Sequence, residues 1–457
     1  MGSTEIIDLP NSEIEARQSQ LLAATVERAA ARHPYYRALF RRERLEPAEV
    51  ADLDGWQRLP LTYKRDFLAD PDAFRLESDG WPDVERTLWD TAYTTGTTTG
   101  QPTPFYSTTY DYLRIIHLSR RMSAIRGIRE SDIVANLFPL MGYPQGAFLR
   151  VHAASIGVGF KLLTAAPGPP PDESVVVHRR TDEVVRWLGR SDPTVLWGVA
   201  SYIRRLAMRA AELGVAWPSV RMLALSGEPL SPSLREDLRG RLAALGSVDV
   251  MINNSLGMSE MQGGLVECVE NSGQHNPAPE LFLFEIVDPE TGHRVPDGER
   301  GLLCLTHLDR RGTVLLRYVL GDVIAQTREA CPNCGREGTR LLRNPTRTSE
   351  LLKIKATLVD PNLIAEELAR FESVQEYRIV FTKDDTADPY SEDAIVIQIA
   401  GPAVGSPTLH RQISDRVRAA VSVRPRVEIV PADDIYDPEA TMKSRRVVDV
   451  RPKHYET

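Results

Sequence analysis

Apolar residues recur at three- and four-residue steps through Ile14, Leu21, Leu22, Val26, Ala29 and Ala30, which predicts helix over residues 12–48 with a break at Pro34. Leu59-Pro60-Leu61-Thr62 closes that unit, and Thr62 is placed to cap a helix starting near Lys64. From about residue 87 to 326, short apolar runs alternate with helical patterns, the signature of an α/β domain with largely parallel sheets. Buried strands are expected at 133–137, 194–197, 222–225 and 248–252, and helices over 109–126, 181–190, 200–213 and 231–244. Over 281–326 the pattern turns to hairpin-like strands at 281–287, 301–306 and 314–318, separated by the turns Asp288-Pro-Glu-Thr-Gly292 and Pro296-Asp-Gly298. Beyond about 346 a helix near 361–371, strands at 377–382 and 394–400, a helix at 407–421 and a final strand near 427–430 suggest a small α+β module. The expected fold is α/β: a large multi-layer N-terminal domain over 1–345, with parallel sheets and a β-rich subdomain, and a small α+β C-terminal domain over 346–457.

Length and composition fit that picture. A chain of 457 residues, 42% hydrophobic and 26% charged, has the balance of an ordinary multi-domain globular protein. A net charge of −8 argues against a general nucleic-acid-binding surface. No apolar run approaches the roughly 18–20 residues of a membrane helix, and no basic-then-apolar leader follows Met1, so a cytoplasmic protein away from membranes is expected. Four cysteines are too few for a disulfide scaffold in a chain this long.

The densest chemical signal is Tyr93-Thr94-Thr95-Gly96-Thr97-Thr98-Thr99-Gly100-Gln101-Pro102. Glycine lets backbone N–H groups approach a ligand and threonine hydroxyls add donors, a combination suited to a triphosphate. It lacks the Gly-Lys-Ser/Thr of a Walker A loop, and alone it also suits a polar turn. Other candidates follow in order. Ser226-Gly227-Glu228-Pro229 and Asn254-Ser255-Leu256-Gly257-Met258-Ser259-Glu260 follow expected strands. Arg317-Tyr-Val-Leu-Gly-Asp322 ends a β segment, Thr346-Arg347-Thr348 opens the last module, and Lys443 lies in Met442-Lys-Ser-Arg-Arg. Separately, Cys331-Pro-Asn-Cys334 places two thiolates on one tight turn, and Cys268 and His275 supply two more ligands suited to a structural zinc ion. Cys304, within Leu302-Leu-Cys-Leu, reads as a core thiol.

The ordered set resembles the adenylate-forming superfamily, and within it the phenylacetate–CoA ligase family, over nearly the whole chain; Pro34-Tyr35-Tyr36-Arg37 and Leu59-Pro-Leu-Thr-Tyr-Lys64 look similar too. The resemblance implies ATP-dependent activation of a carboxylic acid to an acyl-adenylate, with release of pyrophosphate and then transfer to coenzyme A. By that resemblance Thr94, Thr95, Gly96, Thr97, Thr98 and Gly100 hold phosphates, with Thr95 in the catalytic set, and Glu260 ligates Mg²⁺. Ser226 to Pro229 lie along the adenine with Asn254 and Ser255 nearby, Asp322 takes the ribose hydroxyls, and Arg347 supports sugar or phosphates. Lys443 neutralises charge during adenylation from a C-terminal domain that rotates about Thr348-Ser349. The acid pocket is expected at Tyr143, Gly146, Gly198, Ser201, Tyr202 and Gly257, with an aromatic acid favoured. Some family members look similar at the cysteine and histidine set as well. Taken one at a time, Asp322 also reads as a turn cap, Glu260 as a helix-start acid and Lys443 as an exposed lysine.

The chain departs from the family at four places. An extra threonine separates the loop glycines, Gln101 replaces a lysine, Leu256 replaces a tyrosine, and Ala356 stands where a glycine lines the pantetheine path. The added methyl predicts slow use of coenzyme A, leaving an amine, a carrier-protein thiol or nitrite as alternative acceptors. A catalytically inactive nucleotide-binding protein is the reading from another class, and the presence of Glu260, Asp322 and Lys443 speaks against it. Oligomeric state stays open, a homodimer included.

Overall fold

The computed structural model describes residues 5–93, 103–139, 145–165, 167, 179–347, 352–354, 357–388, 391–402, 404–437 and 444–451. The helical N-terminus forms as Asn11–Arg32 and Pro34–Glu43. Pro34 starts the second helix where its missing N–H costs nothing, and His33 caps it by accepting from the Tyr36 N–H at 3.2 Å. Thr62 is not the cap of the helix Lys64–Ala69. That end is closed by the Asp66 carboxylate, which accepts from the Tyr63 N–H at 2.8 Å. Thr62 is instead drawn inward as a one-residue bridge beside Tyr318, its N–H donating to the Arg317 carbonyl at 3.0 Å and its own carbonyl accepting from Val319 at 2.8 Å.

One eleven-stranded sheet organises the large domain. Its order is Phe282–Val287, Arg300–His307, Tyr318–Thr327, Arg340–Arg347, Gln274–His275, Gly263–Val266, Met251–Met258, Met222–Ser226, Val195–Gly198, Ile133–Asn136, Lys161–Thr164. The last five pair in parallel and the rest antiparallel, so the expected β-rich part is a continuation of the parallel sheet. In the parallel half, helices Thr181–Ser191, Ala200–Glu212 and Pro232–Ala244 pack with strands buried along their length, such as Val195–Gly198. The N-terminal helices pack on the antiparallel half, in a core holding Trp56, Phe67, Phe74 and Tyr318.

Two placements differ from expectation. Asp322 does not end a strand; Tyr318–Thr327 runs through it, with Gly321 at φ +80° and a bulge facing Leu302–Cys304. A bulge re-aims a side chain without stopping the pairing. Thr346 and Arg347 open no new module; they finish Arg340–Arg347 in the large sheet, opposite Val323 and Asp322.

The C-terminal domain has its own sheet, ordered Arg426–Ile429, Asp393–Ala400, Glu376–Lys383, Val447–Asp449, and its own core around Ile379, Phe381, Ile397 and Val417. The strand near 427–430 is therefore followed by one more, Val447–Asp449, paired parallel to Glu376–Lys383. Among the described residues no helix is long and apolar enough to cross a membrane.

Candidate active site

The helix Thr109–Arg126 sets one wall of the site. Thr108 and Asp111 form a reciprocal cap at its start, and Gly127 at φ +79° ends it. A Cβ on Gly263 would come within 2.3 Å of Leu118, so only glycine lets the strand approach the helix this closely. Opposite, Met222–Ser226 and Met251–Met258 place Ser226 and Ser255 side by side where their parallel pairing ends, and the Ser255 Oγ donates to the Leu225 carbonyl at 2.8 Å. A small cavity opens here, lined by Ser119, Met122, Phe138, Trp197, Ser226 and Ser255, with Ala147, Arg150, Gly257 and Gly263 closing it.

Gly227 takes φ +94° as the chain leaves its strand. Glu228 then turns to the N-terminus of Ala200–Glu212, accepting from the Ser201 backbone N–H and from its Oγ at 2.8 Å. Asn254 is buried, its N–H donating to Glu267 at 2.8 Å. Glu260 lies in the turn after Met251–Met258, and His307 holds that turn. The His307 ring is neutral because burial pushes its pKa far down. Its Nδ1 accepts from the Leu315 N–H at 3.1 Å, so Nε2 carries the proton and donates to the Glu260 carbonyl at 2.9 Å. Burial first, and then the charge of Glu260, raise the pKa of the neighbouring Tyr318 hydroxyl.

Of the expected acid pocket, Gly257 lines the cavity and Gly146 adjoins it, where an added Cβ would meet the Arg150 guanidinium at 3.1 Å. Gly198, Ser201 and Tyr202 do not line it. Gly198 faces Leu137 and Ile203, Ser201 is engaged by Glu228, and Tyr202 is packed into the core of the parallel half. Thr94, Thr95, Gly96, Thr97, Thr98, Gly100, Tyr143, Ala356 and Lys443 lie outside the described residues, and Arg347 is placed by its backbone alone. The threonine loop joins the hairpin strands Leu88–Tyr93 and Pro104–Thr108.

The domains meet beside Ser201. Arg204 donates to Asp237 at 2.7 Å and, across the interface, to the buried Glu376 at 2.8 Å. Arg446, three positions beyond Lys443, approaches Glu376 at 3.6 Å while lying over the Tyr377 ring at 4.6 Å.

A second cluster sits in the antiparallel half. Ligand atoms of Cys268, His275, Cys331 and Cys334 lie within 4.8 Å of one another. Cys268 and Cys331 sulfurs are 3.8 Å apart, and Cys334 Sγ is 3.7 Å from His275 Nε2. Zinc–sulfur bonds of about 2.3 Å in a tetrahedron require ligand separations of roughly 3.8 Å, so the four fit a tetrahedral metal. Burial, followed by Arg340 and Arg336, lowers the His275 pKa to about 4 and keeps it neutral. Burial pushes Cys268 up to about 11, with the neighbouring thiols adding to it. Burial acts the same way on Cys331, but the N–H groups of Asn333 and Cys334 outweigh it and lower its pKa. Cys304 is a fully buried core thiol.

Sequence reasoning missed Arg150 and Arg126. The available signal was Arg150 as the one arginine, lysine or acid of the largely apolar helix Gln145–Val158.

The phenylacetate–coenzyme A ligase of Thermus thermophilus is 27% identical over 99% of this chain and 100% of its own length. The Escherichia coli enzyme of the same name is 24% identical over 96% of this chain and 95% of its own. Among solved structures, 2-hydroxyisobutyryl-CoA ligase in the postadenylation state overlays with TM-score 0.81 at 23% identity, covering 98% of this chain and 91% of that one. In its thioesterification state the same ligase gives 0.66 at 24% identity, covering 97% and 91%, so the domains here are arranged more as in the former. Residues 31–308, more than half of the chain, match the AMP-binding enzyme family, and with these full-length relatives the chain belongs to that family as an adenylate-forming, AMP-forming ligase.

Proposed function

We propose that this ligase uses ATP and Mg²⁺ to convert an aromatic carboxylic acid into an acyl-adenylate and then passes the acyl group to coenzyme A. The observation that carries the reading is the cavity beside the ends of the parallel strands, where Met122, Phe138 and Trp197 offer an apolar wall and Ser226, Ser255 and Gly257 a polar one. In that reading 94–100 bind the phosphates, 226–229 and Asn254 the adenine, Asp322 and Arg347 the ribose, Glu260 the magnesium, and Lys443 the charge developing at the α-phosphate. The C-terminal domain rotates about 348–349 between half-reactions, and the Arg204–Glu376–Arg446 contacts belong to the adenylating arrangement. Cys268, His275, Cys331 and Cys334 hold one structural zinc ion, and the supply of reduced thiols fits the cytoplasm.

The test is pyrophosphate release with a panel of aryl acids, followed by single-turnover transfer from the adenylate to coenzyme A, amines or nitrite. Release must depend on acid and fall on the order of 10²–10³-fold in Lys443→Ala. Equal release without acid rejects the ligase reading. Fastest transfer to an acceptor other than coenzyme A rejects that half alone, and points to the methyl of Ala356.

A further inference from the structure

Arg150 projects from an apolar helix into the acid cavity, and no carboxylate is among the residues lining it. Its guanidinium has no hydrogen-bond or ion-pair partner among the described residues, and desolvation lowers its pKa to about 10. Behind the cavity lies a second such cation. Ser119 and Met122 face the cavity, and Arg126 follows them on the same stripe of Thr109–Arg126, at seven- and four-residue steps. Arg126 is fully buried, none of its three guanidinium nitrogens has a partner among the described residues, and it stacks over Trp197, a cavity residue, at 5.0 Å. The Ser119 hydroxyl and the Asn254 side-chain oxygen are also buried without partners among the described residues.

Two guanidiniums without partners among the described residues, Arg150 half-buried in the cavity wall and Arg126 fully buried behind it, call for an anion that arrives with the substrate. The reacting carboxylate is a poor candidate. It loses its charge on attacking the α-phosphate, so a bidentate arginine would stabilise the ground state more than the transition state and slow the step. A group that stays ionised throughout does not carry that penalty. Resting on the adenylating reading above, we propose that the substrate is an aryl acid bearing a second carboxylate, held by Arg150 with Arg126 adding positive potential through Trp197. Met122, Phe138 and Trp197 take the ring between the two carboxyl groups.

The experiment compares benzoate and phenylacetate with isophthalate, terephthalate and homophthalate in ATP-dependent pyrophosphate release. At least one diacid should exceed its matched monoacid in kcat/KM by tenfold or more. Arg150→Gln should lower that diacid-to-monoacid ratio at least 30-fold, and Arg150→Lys should restore part of it. Best turnover of a monoacid overturns the proposal, as does an equal loss for both classes in Arg150→Gln, which would place Arg150 on the reacting carboxylate. Thermal shifts with the same acids plus AMP need no catalysis. If no acid releases pyrophosphate the ligase reading fails, and the second-carboxylate site then stands only if diacids protect wild type and not Arg150→Gln.

Discussion

Buried arginines are treated in opposite ways in two parts of this molecule. Around the antiparallel half, Arg317 donates to the carbonyls of Gln57 at 2.9 Å, Leu59 at 2.7 Å and Gly292 at 2.5 Å, and approaches Glu285 at 3.5 Å. In the parallel half, Arg235, which does not line the cavity, makes a two-nitrogen contact with Glu267 at 3.1–3.3 Å and also donates to the Ile252 carbonyl. At the cavity, Arg126 is as deeply buried and has neither carbonyl nor carboxylate within reach among the described residues. A scaffold arginine is satisfied by the fold, because an orphaned cation costs more than the packing it provides. An arginine left unsatisfied by the fold marks a place where a ligand completes the charge balance.

The contrast breaks most visibly at Arg317. Arg317→Met should cost about 3–5 kcal/mol, since it strands three backbone acceptors and removes one cation from the buried Glu285. Urea unfolding of the large domain measures this. A loss below about 1 kcal/mol would mean that satisfied and unsatisfied arginines do not differ energetically here.

The Cys/His cluster sharpens the point from the other side, as a set of four donors in the antiparallel half whose spacing fits a metal ion. Protein purified without chelators should hold about one zinc per chain, and Cys331→Ser should weaken zinc affinity by at least about 100-fold. A 100-fold loss of affinity corresponds to about 3 kcal/mol of stability when free zinc exceeds both dissociation constants. Metal analysis showing no zinc would leave the clustering of these four donors without explanation and would remove the metal from the proposal.

An intermediate case spans the domain boundary. Glu376 accepts from Arg204 and forms a longer ion pair with Arg446, so Glu376→Gln removes the carboxylate between two cations at the interface, while Arg204 keeps Asp237. The expected cost is about 1–3 kcal/mol, all of it on domain docking. Protease cleavage within 348–351 should accelerate while urea unfolding of the large domain stays put. Unchanged cleavage would mean that these contacts do not hold the domains together.

The sequence disclosed what repeats and concealed what depends on distant neighbours. The helices Thr109–Arg126 and Pro407–Val421 match their expected spans because their apolar stripes recur over four turns or more. The fully buried strands were legible as short apolar runs between turns. Thr62 misled because a threonine two residues before a helix looks like a cap until a distant strand, Tyr318–Thr327, claims its backbone. Asp322 misled because a glycine at position 321 suggests an end where it makes a bulge. The cavity cations were illegible for a plainer reason: nothing local distinguishes Arg126 from the well-partnered Arg121 five residues before it, which reaches Glu5 at 2.6 Å.

The smallest expected effect is at Arg126, and it tests the comparison most directly. Methionine approximates the volume of the arginine stem and can still pack on Trp197, so Arg126→Met opens little cavity. The guanidinium it removes makes no hydrogen bond among the described residues, and desolvation already lowers its pKa to about 10. Glu267, whose charge opposes that fall, keeps Arg235 as its partner at 3.1 Å. Replacing a buried ionic group with an apolar one of similar size is often neutral, or stabilising by about 1–4 kcal/mol. The variant without ligand should therefore unfold within about 1 kcal/mol of wild type, or later, while the thermal protection conferred by a diacid plus AMP shrinks. A loss above about 2 kcal/mol without ligand would show that the fold itself depends on the Arg126 charge, and the distinction between the two regions would fail at its deepest residue.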